Sequence, residues 1–198
     1  TGTTVDYTPA ESSQGRVTGV RVYILDKEPD MPDYLQTVTY YDKYGREIQT
    51  IAQNHLDQLD IVGNRYSFTG EMLESVQLHN SGSLAGEERI HKAYLYDHRS
   101  RLLEVMQQIN GDNAIILTRH EYDELGQLVE KDLGGCETDD ELQSIDYQYN
   151  IRGWMTHINQ TGSADDNDLI GMTQGYNEGN TALVNGNIST LSWEMYTG

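Results

Sequence analysis

Tyr41-Asp42-Lys43-Tyr44-Gly45-Arg46 is the stretch on which the fold turns. An aspartate at the first turn position can bond its side chain to backbone two residues on, and a glycine at the fourth accepts positive φ cheaply. That chemistry spells a type I turn closed by a glycine bulge, a common hairpin connection. Gln36-Thr37-Val38-Thr39-Tyr40 before it and Ile48-Gln49-Thr50-Ile51 after it carry β-branched and aromatic residues with strand-like patterning. The phrase therefore predicts one β-hairpin.

The phrase recurs. Tyr96-Asp97-His98-Arg99-Ser100-Arg101, Tyr122-Asp123-Glu124-Leu125-Gly126-Gln127 and Tyr149-Asn150-Ile151-Arg152-Gly153-Trp154 repeat it. Weaker copies stand at Phe68-Thr69-Gly70-Glu71, read as shortened by two residues, and at Tyr176-Asn177-Glu178-Gly179. Anchor aromatics at 41, 68, 96, 122, 149 and 176 give steps of 27, 28, 26, 27 and 27 residues. A second aromatic or histidine often stands two positions earlier, at Tyr66, Tyr94, His120 and Tyr147, where a two-residue step returns to the same sheet face.

The departures carry information too. Ser100 replaces the glycine and is costly wherever positive φ is required, whereas Asn150 for aspartate is chemically mild. A tighter or differently bulged turn is expected at Phe68. Asn110-Gly111 and Asn185-Gly186 add separate hairpin signals. Polar connectors at 55–63, 80–88, 134–141 and 159–168 read as protruding loops. No segment keeps a 3.6-residue apolar period over three turns, so helix is a poor alternative.

The expected fold is all-β, an antiparallel sheet of successive hairpins with a period of 27 residues in most steps. Residues 1–33 form an N-terminal strand segment, 34–180 the repeat sheet, and 181–198 a C-terminal hairpin continuing it. Isolated hairpins are marginal, so neighbours must supply stability, with like tyrosines laddering across repeats. The 14 tyrosines against one phenylalanine fit strands whose rings are half-buried and whose hydroxyls stay wet. Such a sheet leaves two open edges, and self-association through them is expected.

Charge and composition exclude several roles. A formal charge of −19 opposes phosphate tracking, so neither nucleic acid nor an anionic membrane is an expected partner. No apolar run is long enough to insert in a bilayer as a helix. A lone Cys136 cannot form an intrachain disulfide, and its surroundings lack metal-ligand spacing. The opening Thr1-Gly2, without methionine, reads as an excised piece or a mature product.

Candidate chemistry is thin. His120-Glu121-Tyr122-Asp123 sits in a strand pattern, where neighbours face opposite ways and cannot converge. His55, His79, His91, His98 and His157 show no ligand spacing. Asp165-Asp166-Asn167-Asp168 has some flavour of a calcium loop but lacks the EF-hand register and terminal glutamate, so a solvated acidic loop is expected. No nucleophile elbow or phosphate-cradling loop occurs. No catalytic residue, metal site or cofactor is assigned, and an enzyme is not expected.

With Tyr41-Asp42 through Arg46, Tyr96-Asp97 through Leu102 and Tyr122-Asp123 through Leu128 set out, the chain resembles the YD-repeat or RHS (rearrangement hot spot) family. Tyr147-Gln148-Tyr149-Asn150-Ile151-Arg152-Gly153-Trp154-Met155-Thr156 looks particularly like RHS proteins of Bacteroidetes. The likeness spans Gly15 to Tyr176. It implies a segment of a hollow β-shell like that of the insecticidal toxin complexes and the teneurins, secreted or on the bacterial surface, commonly enclosing a C-terminal toxin. The implied partners are the remainder of the parent protein and the enclosed cargo. The family's self-cleaving core uses an Asp-Pro context, and no Asp-Pro occurs in this chain. An adhesin-like module binding glycan or protein is the alternative, with a hydrolase a distant third.

Overall fold

A computed structural model describes residues 13–25, 34–82, 86–135, 142–159, 168–177, 183 and 185–195. Every regular element among them is a β-strand, and the sheet order of the thirteen strands is their chain order. Contacts divide the chain into two compact units, the first holding residues 1–95 and 106–114 and the second 96–105 and 115–198.

The first unit contains β1 (Gly19–Tyr23), β2 (Tyr34–Tyr41), β3 (Glu47–Gln53), β4 (Leu59–Tyr66), β5 (Met72–Asn80) and β6 (Glu87–Tyr96) up to Leu95. The second contains β8 (Ile115–Tyr122), β9 (Leu128–Leu133), β10 (Gln143–Tyr149), β11 (Met155–Ile158), β12 (Ile170–Gly175) and β13 (Thr190–Met195). β7 (Leu102–Ile109) gives its first half to the second unit and its last half to the first.

Within each unit the strands contact only their sheet neighbours, all antiparallel. Among the described residues the buried apolar side chains are Ile48, Val105 and Ile116. Among the described residues no second layer covers the sheet in either unit, so burial comes from rows running across strands. One row is Val38, Ile51, Ile61 and Leu78 in the first unit. Another is Tyr147, Ile158, Met172 and Trp193 in the second. Directly opposed side chains of this kind contribute about 0.2–1 kcal/mol per pair.

The turns follow the predicted chemistry atom by atom. Asp42 Oδ1 accepts the N–H groups of Tyr44 (2.8 Å) and Arg46 (2.9 Å). The backbone closes through Gly45 N–H to Asp42 C=O and Asp42 N–H to Arg46 C=O, both 2.9 Å. Asp97 and Asn150 make the same pairs of side-chain bonds, and Asp123 Oδ1 accepts from Gln127 N–H at 2.8 Å. Gly45, Gly126 and Gly153 all have positive φ, and a bulge follows at Tyr40/Tyr41, Glu121/Tyr122 and Gln148/Tyr149. Ser100 stands at φ 63, so the site does require the left-handed conformation that serine adopts at a cost. Asn110-Gly111 forms the two-residue turn its sequence predicts, with φ of 51 and 83 and Asp112 N–H bonded to Ile109 C=O.

Three expectations are corrected. The copy at Phe68 is neither shortened nor anchored by Phe68: the turn runs 67–71, with Ser67 in the aspartate position and Tyr66 in the anchor position. Ser67 Oγ accepts from Gly70 and Glu71 N–H, and Ser67 N–H bonds Glu71 C=O. Phe68 is a turn-tip residue with 91 % of its surface exposed. A hydroxyl does the aspartate's work here, and Phe68 stands nearer the repeat spacing than Tyr66, which displaces the expected anchor by two residues.

The connector expected at 55–63 is likewise a tight turn followed directly by strand. Asn54 Oδ1 accepts from Leu56 and Gln58 N–H, Asp57 supplies the positive φ of 56, and β4 starts at Leu59. Of the connector at 80–88, Asn80, Glu87 and Glu88 belong to strands, Ser81, Gly82 and Gly86 lie between them, and 83–85 lie outside the described residues. Most of the connectors at 134–141 and 159–168 lies outside the described residues, as do Cys136, 165–167 and Gly179.

Candidate functional site

The third correction concerns five of the tyrosine hydroxyls, which bond to backbone carbonyls. In the first unit the Tyr41 hydroxyl donates to Val17 C=O (2.9 Å) and Tyr66 to Glu47 C=O (3.1 Å). In the second, Tyr122 donates to Leu102 C=O (3.0 Å), Tyr149 to Leu128 C=O (2.9 Å) and Tyr176 to Met155 C=O (2.6 Å). The acceptor is each time the residue just after the preceding turn, 19 to 24 positions upstream. Every bond ties one repeat to the one before it and contributes about 0.5–1.5 kcal/mol.

The fifth turn residue completes this clamp. Arg46 lies over the ring of Tyr66 (4.9 Å), Arg101 over Tyr122 (4.6 Å), and Arg16 over Tyr41 (5.7 Å). Trp154 takes the same position against Tyr176, with ring centroids 5.0 Å apart. Cation–π contacts at partly exposed sites contribute about 0.5–1 kcal/mol. Arg46 also donates to Asp42 of its own turn (2.6 Å) and to Ser67 C=O of the next (3.0 Å). Arg101 pairs with Asp97 at 2.7 Å.

The turn glycines sit under these same side chains. A Cβ on Gly126 would lie 3.3 Å from Arg101 Nη1, on Gly153 3.4 Å from Gln127 Nε2, and on Gly186 3.1 Å from Trp154. On Gly45 it would collide with the Arg16 guanidinium. Glycine thus serves the turn's φ and the close approach of the preceding repeat together.

The electrostatics are consistent with a permanent clamp. Backbone N–H bonding from Arg101 lowers the Asp97 pKa to about 2 against some opposing burial, helped by the Arg101 side chain. Burial pushes Asp42 up, but the Arg46 backbone and guanidinium and the Tyr44 N–H outweigh it and leave the pKa lowered. Burial raises the Tyr66 and Tyr149 hydroxyls, keeping them protonated donors.

At the other ends of the strands asparagine takes over, a role not anticipated from sequence. Asn110 and Asn159 adopt φ near 50. Asn110 N–H bonds Arg89 C=O while its Oδ1 accepts Arg89 N–H, both at 2.8 Å. Asn159 repeats this with Asp146 at 2.9 Å and also donates Nδ2–H to Ile170 C=O, bridging β10 and β12 with 2 % of its surface exposed. Asn54 Nδ2 reaches Asn80 C=O at 2.9 Å. An asparagine ahead of a polar segment was the available signal, but it reads as loop unless its strand partner is known.

The remaining candidates do not converge. His120 stands opposite Lys131 and Glu121 opposite Glu130, on alternate faces. Burial, then Lys131, lowers the His120 pKa, and its Nδ1 is buried with no hydrogen-bond partner among the described residues. Glu121, Glu130 and Asp146 form a like-charged row over β8, β9 and β10. Burial, then Asp132 and Glu121, raises the Glu130 pKa, while Ser144 bonds both Glu130 (3.2 Å) and Asp132 (2.9 Å). His79 Nδ1 lies 2.7 Å from Asp60. Among the described residues no group of three or more His, Cys, Asp or Glu is placed to hold a metal ion.

No protein-family model matches the chain, and no curated protein matches it.

Proposed function

We propose that this chain is a wall segment of a secreted or cell-surface RHS-type shell whose role is to enclose a C-terminal toxin or effector. The observation that carries the reading is the five-fold recurrence of a tyrosine hydroxyl bonded to the repeat before it. A sheet whose hairpins are each fastened to their predecessor extends by repetition, with stability accumulating along the chain as in other quasi-linear repeat proteins. The side chains that define the repeat are used on backbone and on one another, which suits a wall rather than a reactive site.

The test is protease protection of the cargo in the full-length parent. The cargo domain should resist cleavage in the intact protein and become sensitive when Tyr122→Ala and Tyr149→Ala loosen the wall. A cargo cleaved equally fast with and without its wall refutes enclosure. Saturable binding of this chain on a glycan array, with no change in cargo protection, would favour the adhesin reading instead.

A further inference from the structure

Two asparagines are followed by glycine, Asn110 and Asn185, and the structure treats their side chains differently. Asn110 is held across the sheet: its N–H and its Oδ1 both bond Arg89 on β6 at 2.8 Å, which turns the carboxamide toward a neighbouring strand. Asn185 folds back on its own chain, where Oδ1 accepts Asn187 N–H at 3.2 Å. That ring of atoms encloses the Gly186 peptide and brings the carboxamide carbon beside the Gly186 nitrogen. The same fold-back occurs at Asn54, Asn80 and Asn150, but the enclosed nitrogen there belongs to His55, Ser81 and Ile151, whose side chains crowd it. Glycine has no Cβ to do so. Asn185 is also exposed. It stands one residue ahead of the glycine beneath Trp154, the place that Tyr44 and Leu125 hold ahead of the glycines beneath Arg16 and Arg101. Both of those are exposed although a further turn follows each, so the position is open to water by its place in the turn.

We propose that Asn185-Gly186 is a self-modifying site, at which the carboxamide closes on the Gly186 nitrogen to a cyclic imide that water opens to isoaspartate or aspartate. The Gly186 nitrogen attacks Asn185 Cγ, the N–Cγ bond forms, the Cγ–Nδ2 bond breaks, and the Gly186 proton leaves with Nδ2 as ammonia. Asn187 N–H, aimed at Oδ1, stabilises the negative charge that develops there during the attack. Water entering at the Asn185 main-chain carbonyl then gives isoaspartate, and at Cγ aspartate. Nothing is oxidised or reduced, and water is the only co-reactant. The isoaspartyl product runs the main chain through the former side chain and so lengthens it by a methylene. The turn has no slack for this, because even a Cβ on Gly186 would lie 3.1 Å from Trp154. The lengthened turn therefore unseats Trp154 from Tyr176, whose ring centroid lies 5.0 Å away, and loosens the clamp of that repeat. The inference does not rest on the shell reading.

Peptide mapping of the aged, folded chain by mass spectrometry, with fragmentation that resolves isoaspartate, tests it. Asn185 should convert at least about 10-fold faster than Asn110, since misplacing a reacting group by about 1 Å costs about 10²-fold. In urea the two rates should converge, because the fold alone separates them. In a Trp193→Phe background Trp154 is the only tryptophan. Its emission should drift as conversion at Asn185 proceeds and stay constant in Asn185→Gln, whose longer side chain closes the ring far more slowly. An Asn185 that converts no faster than Asn110 in the folded chain, rates that stay as far apart in urea, or Trp154 emission unchanged after full conversion overturns the proposal.

Discussion

Ser100→Gly should stabilise the protein, an unusual direction for a mutation at a structured turn. Ser100 occupies the left-handed position at φ 63, where four other copies of the turn carry Gly45, Gly70, Gly126 and Gly153. A non-glycine residue there costs about 1–2 kcal/mol. Glycine removes that cost but adds about 0.5–1 kcal/mol of unfolded-state entropy. The net gain is about 0.5–1 kcal/mol, or roughly 1–4 °C in Tm for a chain of this size. Ser100→Ala is the control, since it keeps the Cβ and removes the hydroxyl. Gly126→Ala is the reciprocal change, adding a Cβ at φ 91 that lies 3.3 Å from Arg101 Nη1, with an expected loss of about 1 kcal/mol. Both positions and both tryptophans, Trp154 and Trp193, lie in the second unit, so urea unfolding followed by tryptophan fluorescence reports the relevant transition. A Ser100→Gly variant no more stable than Ser100→Ala would refute the reasoning that φ sets the cost.

Tyr122→Phe should lose about 1 kcal/mol by leaving Leu102 C=O without its donor, whereas Tyr44→Phe at an exposed turn tip of the first unit should be neutral in urea unfolding followed by circular dichroism. Asn159→Ala should cost about 2–4 kcal/mol, because Asp146 N–H and Ile170 C=O lose their partners in a buried place, and amide exchange at Asp146 should accelerate accordingly. Stability should peak in mildly acid solution. The raised Glu130 pKa destabilises at neutral pH, a penalty relieved as pH falls through that pKa toward its ordinary 4.5. The lowered Asp97 pKa contributes stability that is present above 3.8 and lost as pH falls from there to about 2. Glu130→Gln should therefore flatten the neutral limb of a Tm-against-pH curve and Asp97→Asn the acid limb, and curves unchanged by either variant would contradict these assignments.

The hairpins were legible because turn chemistry is local. Asp42, Asp97, Asp123 and Asn150 bond backbone within four residues, and the αL position falls within the same phrase. The Ser67 turn was misread for the complementary reason: a hydroxyl can replace the carboxylate, so residue type alone did not locate the anchor, and Phe68 stood nearer the expected spacing than Tyr66 did.

The sequence by itself determined the hairpin repeat, the glycine bulge and the cost at Ser100, since each follows from φ preferences and side-chain reach inside six residues. Only the tertiary structure decided that Tyr41, Tyr66, Tyr122, Tyr149 and Tyr176 fasten each repeat to its predecessor, that Arg46 and Arg101 cover the next ring, and that Asn159 bridges three strands. Those contacts join residues 11 to 24 positions apart, and strand pairing and register bring their atoms together.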